Sequence, residues 1–107
     1  MSTTKYKILQ LDYATPYRFM PWSRVKRNEF SLDDYSEVWR GEKDVDANAS
    51  INMLLEELFE EFNLRHPLGY RGRSMSCSDI IVIDSDSSIK YYYVDRFGFK
   101  DITSVIA

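Results

Sequence analysis

The sequence predicts an α+β domain: a small, mostly antiparallel sheet of three or four strands, packed by one amphipathic helix over about 50–63, with a shorter helix over about 16–27. Three observations point there. Apolar residues recur at Ile51, Leu54, Leu55, Leu58, Phe59 and Phe62, the spacing of one helical face. A continuous apolar run at 80–83 is followed by the polar turn 84–88 and a β-rich run at 89–94, which together form a hairpin pattern. Residues 5–12 place apolar groups on both faces through Tyr6, Ile8, Leu9 and Leu11, with no Gly or Pro, as an inner strand would.

Between these segments the signals are local. Thr15 suits a helix cap and Pro16 the first helical position, so a short helix or turn runs through Tyr17, Phe19 and Met20, with Pro21 either breaking it or starting a second turn at 22–27. A short strand is expected at 37–40, stopped by Gly41, and 44–49 is a polar linker. Asn48 or Ser50 caps the main helix, and Asn63 with His66 and Pro67 ends it. Residues 67–75 form a loop, and 101–106 a last short strand or tail.

At 107 residues, with 44% hydrophobic and 15% aromatic content, the chain has the size and apolar content of one packed domain rather than a disordered segment. Cys77 is the single cysteine, which excludes an internal disulfide and suits a reducing compartment. The first residues lack an apolar leader pattern, and no apolar run approaches the roughly 20 residues that span a bilayer. A cytoplasmic location without membrane association is therefore expected.

Net charge is −3, unevenly spread. Residues 41–63 hold one basic side chain, Lys43, against seven acidic ones: Glu42, Asp44, Asp46, Glu56, Glu57, Glu60 and Glu61. Carboxylates along one rigid helix can imitate phosphate spacing and occupy a basic groove, although a charged face that keeps a small protein soluble is the commoner use.

Other chemistry is weakly supported. Cys77 with His66 has the composition of a thiolate–imidazole pair, but Cys77 adjoins an apolar strand, where cysteine behaves as a small hydrophobe. Asp84, Asp86 and Ser88 match the start of a calcium loop, yet Ile89 stands where that loop requires glycine and Asp95 where it requires glutamate. One histidine and one cysteine are too few for a typical zinc site. No catalytic, cofactor or metal residue is assigned. Nucleic-acid binding would draw on Arg24, Lys26 and Arg27, or Arg65, Arg71 and Arg73, with residues 91–93 as a stacking surface, but a pI near 5.1 argues against a basic footprint.

Several stretches are more specific: 6–12 (YKILQLD) with 14–22 (ATPYRFMPW), and 76–84 (SCSDIIVID) with 91–99 (YYYVDRFGF), joined by 59–63 (FEEFN) and His66-Pro67. As a set they resemble the YodL-like domain across nearly the whole chain. The resemblance implies an accessory role in phage, plasmid or conjugative elements of Gram-positive bacteria, directed against host defences or modulating a host protein, and it assigns no catalytic residue. The matched positions are Tyr17, Arg18, Phe19, Trp22, Tyr93, Asp95, Phe97 and Phe99. Phe19, Tyr93 and Phe99 are expected in the core, and Arg18 with Asp95 is a candidate ion pair.

The expected function is non-catalytic protein binding: an accessory or inhibitor acting on a host defence protein such as a CRISPR or restriction nuclease with a basic groove. Nucleic-acid binding is the alternative, and a cysteine-dependent enzyme a more remote one. Candidate contact residues are Glu56, Glu57, Glu60 and Glu61 on the helix, with Arg18, Trp22, Arg96 and Phe97.

Overall fold

A helical stripe flanked by strand-forming segments must be buried on a sheet, and the computed structural model, which describes residues 2–11, 15, 18–25, 30–45, 50–70, 72–85 and 88–106, shows how. Its elements are β1 (Ser2–Leu11), β2 (Tyr35–Val45), α1 (Ile51–Leu64), β3 (Ile80–Ser85), β4 (Ser88–Val94), β5 (Phe99–Asp101) and α2 (Thr103–Ile106). The strands form one sheet in the order β2-β1-β3-β4-β5, with every pairing antiparallel.

The α+β class is as expected, but the sheet has five strands rather than three or four. The fifth strand is β5, and β2 is longer than expected, continuing through Gly41 where the sequence suggested a stop. A Cβ on Gly41 would lie 3.0 Å from Tyr6 Oη and 3.1 Å from Trp39 Nε1, so glycine here allows the packing of those two rings rather than ending the strand. Val38 is an extra residue opposite the Ile8/Leu9 step, a bulge that shifts the register of β2 on β1.

β3 and β4 form a tight hairpin whose last paired residues are Ser85 and Ser88. Asp86, part of the calcium-loop pattern, lies outside the described residues.

Ser50 caps α1, its side chain accepting from Met53 N at 3.2 Å. Leu54, Leu55, Leu58 and Phe62 are buried and Phe59 partly so, but Ile51 is 43% exposed, because the first turn lies beside a shallow hollow rather than over the core. The buried face meets Tyr6, Ile8, Ile81, Ile83, Tyr92 and Val94.

The opposite face of the sheet has its own core: Leu11, Ile80, Val82 and Tyr93, covered by Trp22, Val25, Phe30, Leu32, Tyr35 and the α2 residues Val105 and Ile106. This cover replaces the expected helix over about 16–27. Within 16–27 the described residues hold one 3-10 turn, Trp22–Arg24, and a second, Leu32–Asp34, follows. Phe19 has φ 67° and Pro21 has φ −65° and ψ 151°, both outside helical geometry, so an α-helix cannot run through them. Residues 16, 17, 26 and 27 lie outside the described set. The short α-helix is instead at the C-terminal end, where α2 takes the place of the expected strand or tail beyond Asp101.

Leu58 is fully buried in the first core. Leu58→Ala is expected to lower unfolding free energy by about 2–5 kcal/mol, read as a reduced urea midpoint at unchanged slope.

Candidate functional site: a basic, aromatic end of the sheet

The site forms where β4 ends and the chain turns into β3. Val94 and the 78–79 step bond to each other, Ser78 N donating to Val94 O at 2.9 Å and Val94 N to Asp79 O at 2.8 Å. Ser78 is fully buried with φ 86°, a left-handed conformation that costs a non-glycine residue about 1–2 kcal/mol. Its groups are all used: its carbonyl accepts Tyr35 Oη–H at 2.6 Å, and its hydroxyl accepts the amide N–H of Phe19 at 2.9 Å. Two left-handed residues, Ser78 and Phe19, thus face each other across one hydrogen bond.

That bond draws residues 18–22 over the sheet end. Tyr93 Oη–H donates to Met20 O at 2.5 Å, and the Cys77 thiol donates to the same carbonyl at 3.2 Å. Trp22 packs its ring on Tyr93 and Phe30, with centroids 5.0 and 5.2 Å apart. Its amide donates to Asp95 Oδ1 at 3.2 Å, and the same oxygen accepts Arg96 N–H at 2.8 Å. Asp95 N–H also donates to Gly98 O at 3.1 Å across the turn, which Gly98 permits with φ 75°. One carboxylate therefore fixes both the 18–22 segment and the turn from Asp95 to Gly98.

That turn leaves Phe97 89% exposed beside an exposed Arg96. A hollow lies on each side. One, of about 350 Å³, runs between the turn and Pro21, Ser23 and Arg24. The other, of about 230 Å³, lies between the turn and Glu56, Phe59 and Phe99. Farther along the same end, Phe19 is 49% exposed rather than in the core, and the guanidinium carbons of Arg18 and Arg73 lie 4.4 and 5.0 Å from its ring centroid. Its left-handed backbone directs the ring outward. Tyr93 is buried as expected, and Phe99 is half-buried against Phe59.

Arg18, Trp22, Arg96 and Phe97 thus gather at one end of the molecule, joined by Glu56 from α1. Trp22 serves there as a half-buried anchor. Asp95 serves the backbone amides of Trp22 and Arg96. The other helix carboxylates divide: Glu60 is exposed, whereas Glu57 and Glu61 share Lys43 of β2, with Glu57 at 3.5 Å. Burial disfavours the Lys43 charge, but the hydrogen bond and charge of Glu61, with Glu57, hold its pKa above the usual lysine value. The carboxylate face is therefore interrupted by a cation.

A buried polar cluster next to this end had no sequence signal. Asp79 is fully buried and accepts Arg73 Nη2–H at 2.5 Å, Arg73 Nη1–H at 3.2 Å, Ser76 N–H at 2.9 Å and Gln10 Nε2–H at 3.2 Å. Gln10 Oε1 in turn accepts Arg73 N–H at 3.1 Å. Burial pushes the Asp79 carboxyl up to about 6, with Arg73 the main opposing influence, and burial together with the Asp79 charge pushes the Tyr70 phenol up to about 12. Arg73 ties the loop before β3 to β1 and is committed to that task, which removes it from the basic cluster considered with Arg65 and Arg71.

The remaining candidates separate. His66 meets Ser74 Oγ at 3.4 Å and the Tyr70 ring, while Cys77 bonds Met20 O, so the two are engaged apart. Burial, then the nearby Asp95 charge, raises the Cys77 thiol pKa. Tyr92 and Tyr93 are buried on opposite faces of the sheet, so 91–93 is not a stacking platform.

An open five-stranded sheet, covered by one long helix on one face and by irregular chain with a short helix on the other, defines a small α+β domain with a basic, aromatic end. The YodL-like domain model matches residues 5–104, and the chain belongs to that family. No curated protein and no solved structure matches it. No helix among the described residues is long and apolar enough to cross a membrane.

The sign of the Asp79 titration follows from burial. The native carboxyl keeps its proton up to about 6, whereas an unfolded aspartate releases it near 3.9. Between those values the native state binds more protons, so the Asp79 contribution is fully present below about pH 4 and is lost as pH rises through about 6. Urea denaturation of wild type and Asp79→Asn should show the wild type losing roughly 1–3 kcal/mol relative to the variant over that window, then running parallel to it. A constant difference from pH 4 to 7 would contradict the assignment.

Proposed function

We propose that this YodL-like domain is a non-catalytic protein-binding accessory that docks stoichiometrically through its basic, aromatic end. The observation that carries this is Phe97: an aromatic ring 89% exposed on a turn whose backbone is held by Asp95 and Gly98, with a hollow on each side. An exposed aromatic beside arginine, on a turn whose backbone is already ordered, has the composition of an interface hot spot and spares the backbone part of the ordering cost on docking. The mobile-element setting implied by the sequence resemblance makes a host defence protein, such as a CRISPR or restriction nuclease, the target class. Glu56 contributes one carboxylate at the rim; Glu57 and Glu61, already paired with Lys43, contribute less than a bare acidic helix would.

The same arginines and exposed rings give a second reading, single-stranded nucleic-acid binding by stacking and phosphate contact. Net charge of −3 and the commitment of Arg73 to Asp79 weigh against it.

Immobilised protein incubated with nuclease-treated host lysate should retain a partner. Phe97→Ala or Arg96→Glu should weaken that retention by about 2 kcal/mol or more, roughly thirty-fold, while Glu57→Lys with Glu61→Lys should leave it within a few-fold. Retention lost only in the glutamate variant would replace this docking surface with the acidic helix. Binding of a labelled single-stranded oligonucleotide that weakens with salt would favour the second reading.

A further inference from the structure

The two edges of the sheet differ. β5 is three residues long, the kind of short edge that discourages pairing with another chain, whereas β2 runs for eleven. Among the described residues, positions 39–45 of β2 pair only with β1, and no backbone hydrogen bond between described residues reaches their other side. Charged side chains alone usually protect such an edge, but the order of charges on β2 is self-complementary.

Residues Trp39 to Val45 of β2 lie beyond the Val38 bulge in regular register with β1. Arg40 and Glu42 sit opposite Lys7 and Lys5, on the sheet face away from α1, and both are exposed, Arg40 donating to Glu37 of its own strand at 2.8 and 2.9 Å, so that Glu42 of a second copy would share a guanidinium already paired on one side. A second copy added antiparallel along this edge is related by a two-fold axis normal to the sheet, so residues across the junction share a face and both α1 helices lie on the same side. With Gly41 opposite Gly41 of the second copy, each Arg40 faces Glu42 of the other copy, and no like charges lie directly across. Sliding two residues one way sets Arg40 against Arg40; sliding two the other way sets Glu42 against Glu42. Cross-strand pairs on one face interact at about 5 Å, so this pattern selects a register as well as a partner.

We propose that β2 is a homodimer edge, joining two copies into a continuous ten-stranded antiparallel sheet centred on Gly41. The basic, aromatic ends stay free, so the dimer presents two docking ends at once. This does not depend on the identity of what docks there.

Sedimentation equilibrium of the full chain from about 1 µM to about 500 µM, a range suited to a small interface, should show the mass doubling with concentration. Arg40→Glu and Glu42→Arg should each raise the dimer dissociation constant about tenfold or more, because each converts two attractive pairs to repulsive ones. The Arg40→Glu/Glu42→Arg double variant should restore it to within a few-fold of wild type. Circular dichroism of the three variants confirms that these exposed changes leave the fold intact. A single monomer mass throughout, a dimer indifferent to both single reversals, or a double variant that stays monomeric would each overturn the proposal.

Discussion

Strand β3 is buried on both faces, and the rest of the molecule follows from that constraint. Ile80, Ile81, Val82 and Ile83 are all buried, and they alternate between two separate cores. A sheet whose central strand is apolar on both sides needs two covers. The stripe of α1 supplies one. Among the described residues no second long helix supplies the other, and irregular chain around Trp22, Phe30, Leu32 and Tyr35, with α2, does it.

Covering a sheet with irregular backbone creates polar groups that require partners, and their arrangement builds the candidate site. Met20 O receives the Tyr93 hydroxyl and the Cys77 thiol, Phe19 N–H goes to Ser78 Oγ, and Trp22 N–H to Asp95. The strain at Ser78 and Phe19 is about 1–2 kcal/mol each, comparable to what a hydrogen bond contributes, so the conformation persists because several bonds and the burial of Tyr93 act together. The outward direction of Phe19 and the rigid turn carrying Phe97 both follow from that over-determined junction.

The parts legible in the sequence are those set by periodicity. The α1 stripe and the β3–β4 hairpin rest on apolar spacing that a packed interior enforces. β2 was underestimated beyond Arg40 because an edge strand in solvent is polar, so Glu42 and Asp44 did not read as strand, and because Gly41 serves the contact between Tyr6 and Trp39 instead of a turn. The outward Phe19 depends on a positive φ that no spacing rule announces. Asp79 is the clearest omission: Gln10, 69 residues earlier in the chain, and Arg73 meet it only once β1 and β3 are adjacent. For the site, residue types at Arg18, Trp22, Arg96 and Phe97 were visible from the family motif, but their convergence on one end, and the division of the helix carboxylates by Lys43, are products of packing.

Glu57 and Glu61 face Lys43 whereas Glu56 lines the hollow beside Arg96, so the acidic stretch is divided asymmetrically over the surface of a small protein of modest net charge. That asymmetry survives only if both covers are held to the sheet together. The two tryptophans report on them separately, Trp39 beside the α1 core and Trp22 in the opposite layer. Fluorescence-monitored urea unfolding of Trp22→Phe and Trp39→Phe, each leaving a single tryptophan, tests this directly. Within each variant the fluorescence transition should coincide with that from far-ultraviolet circular dichroism. A Trp22 signal that changes at lower urea, while the circular dichroism of the same variant remains native, would contradict the account.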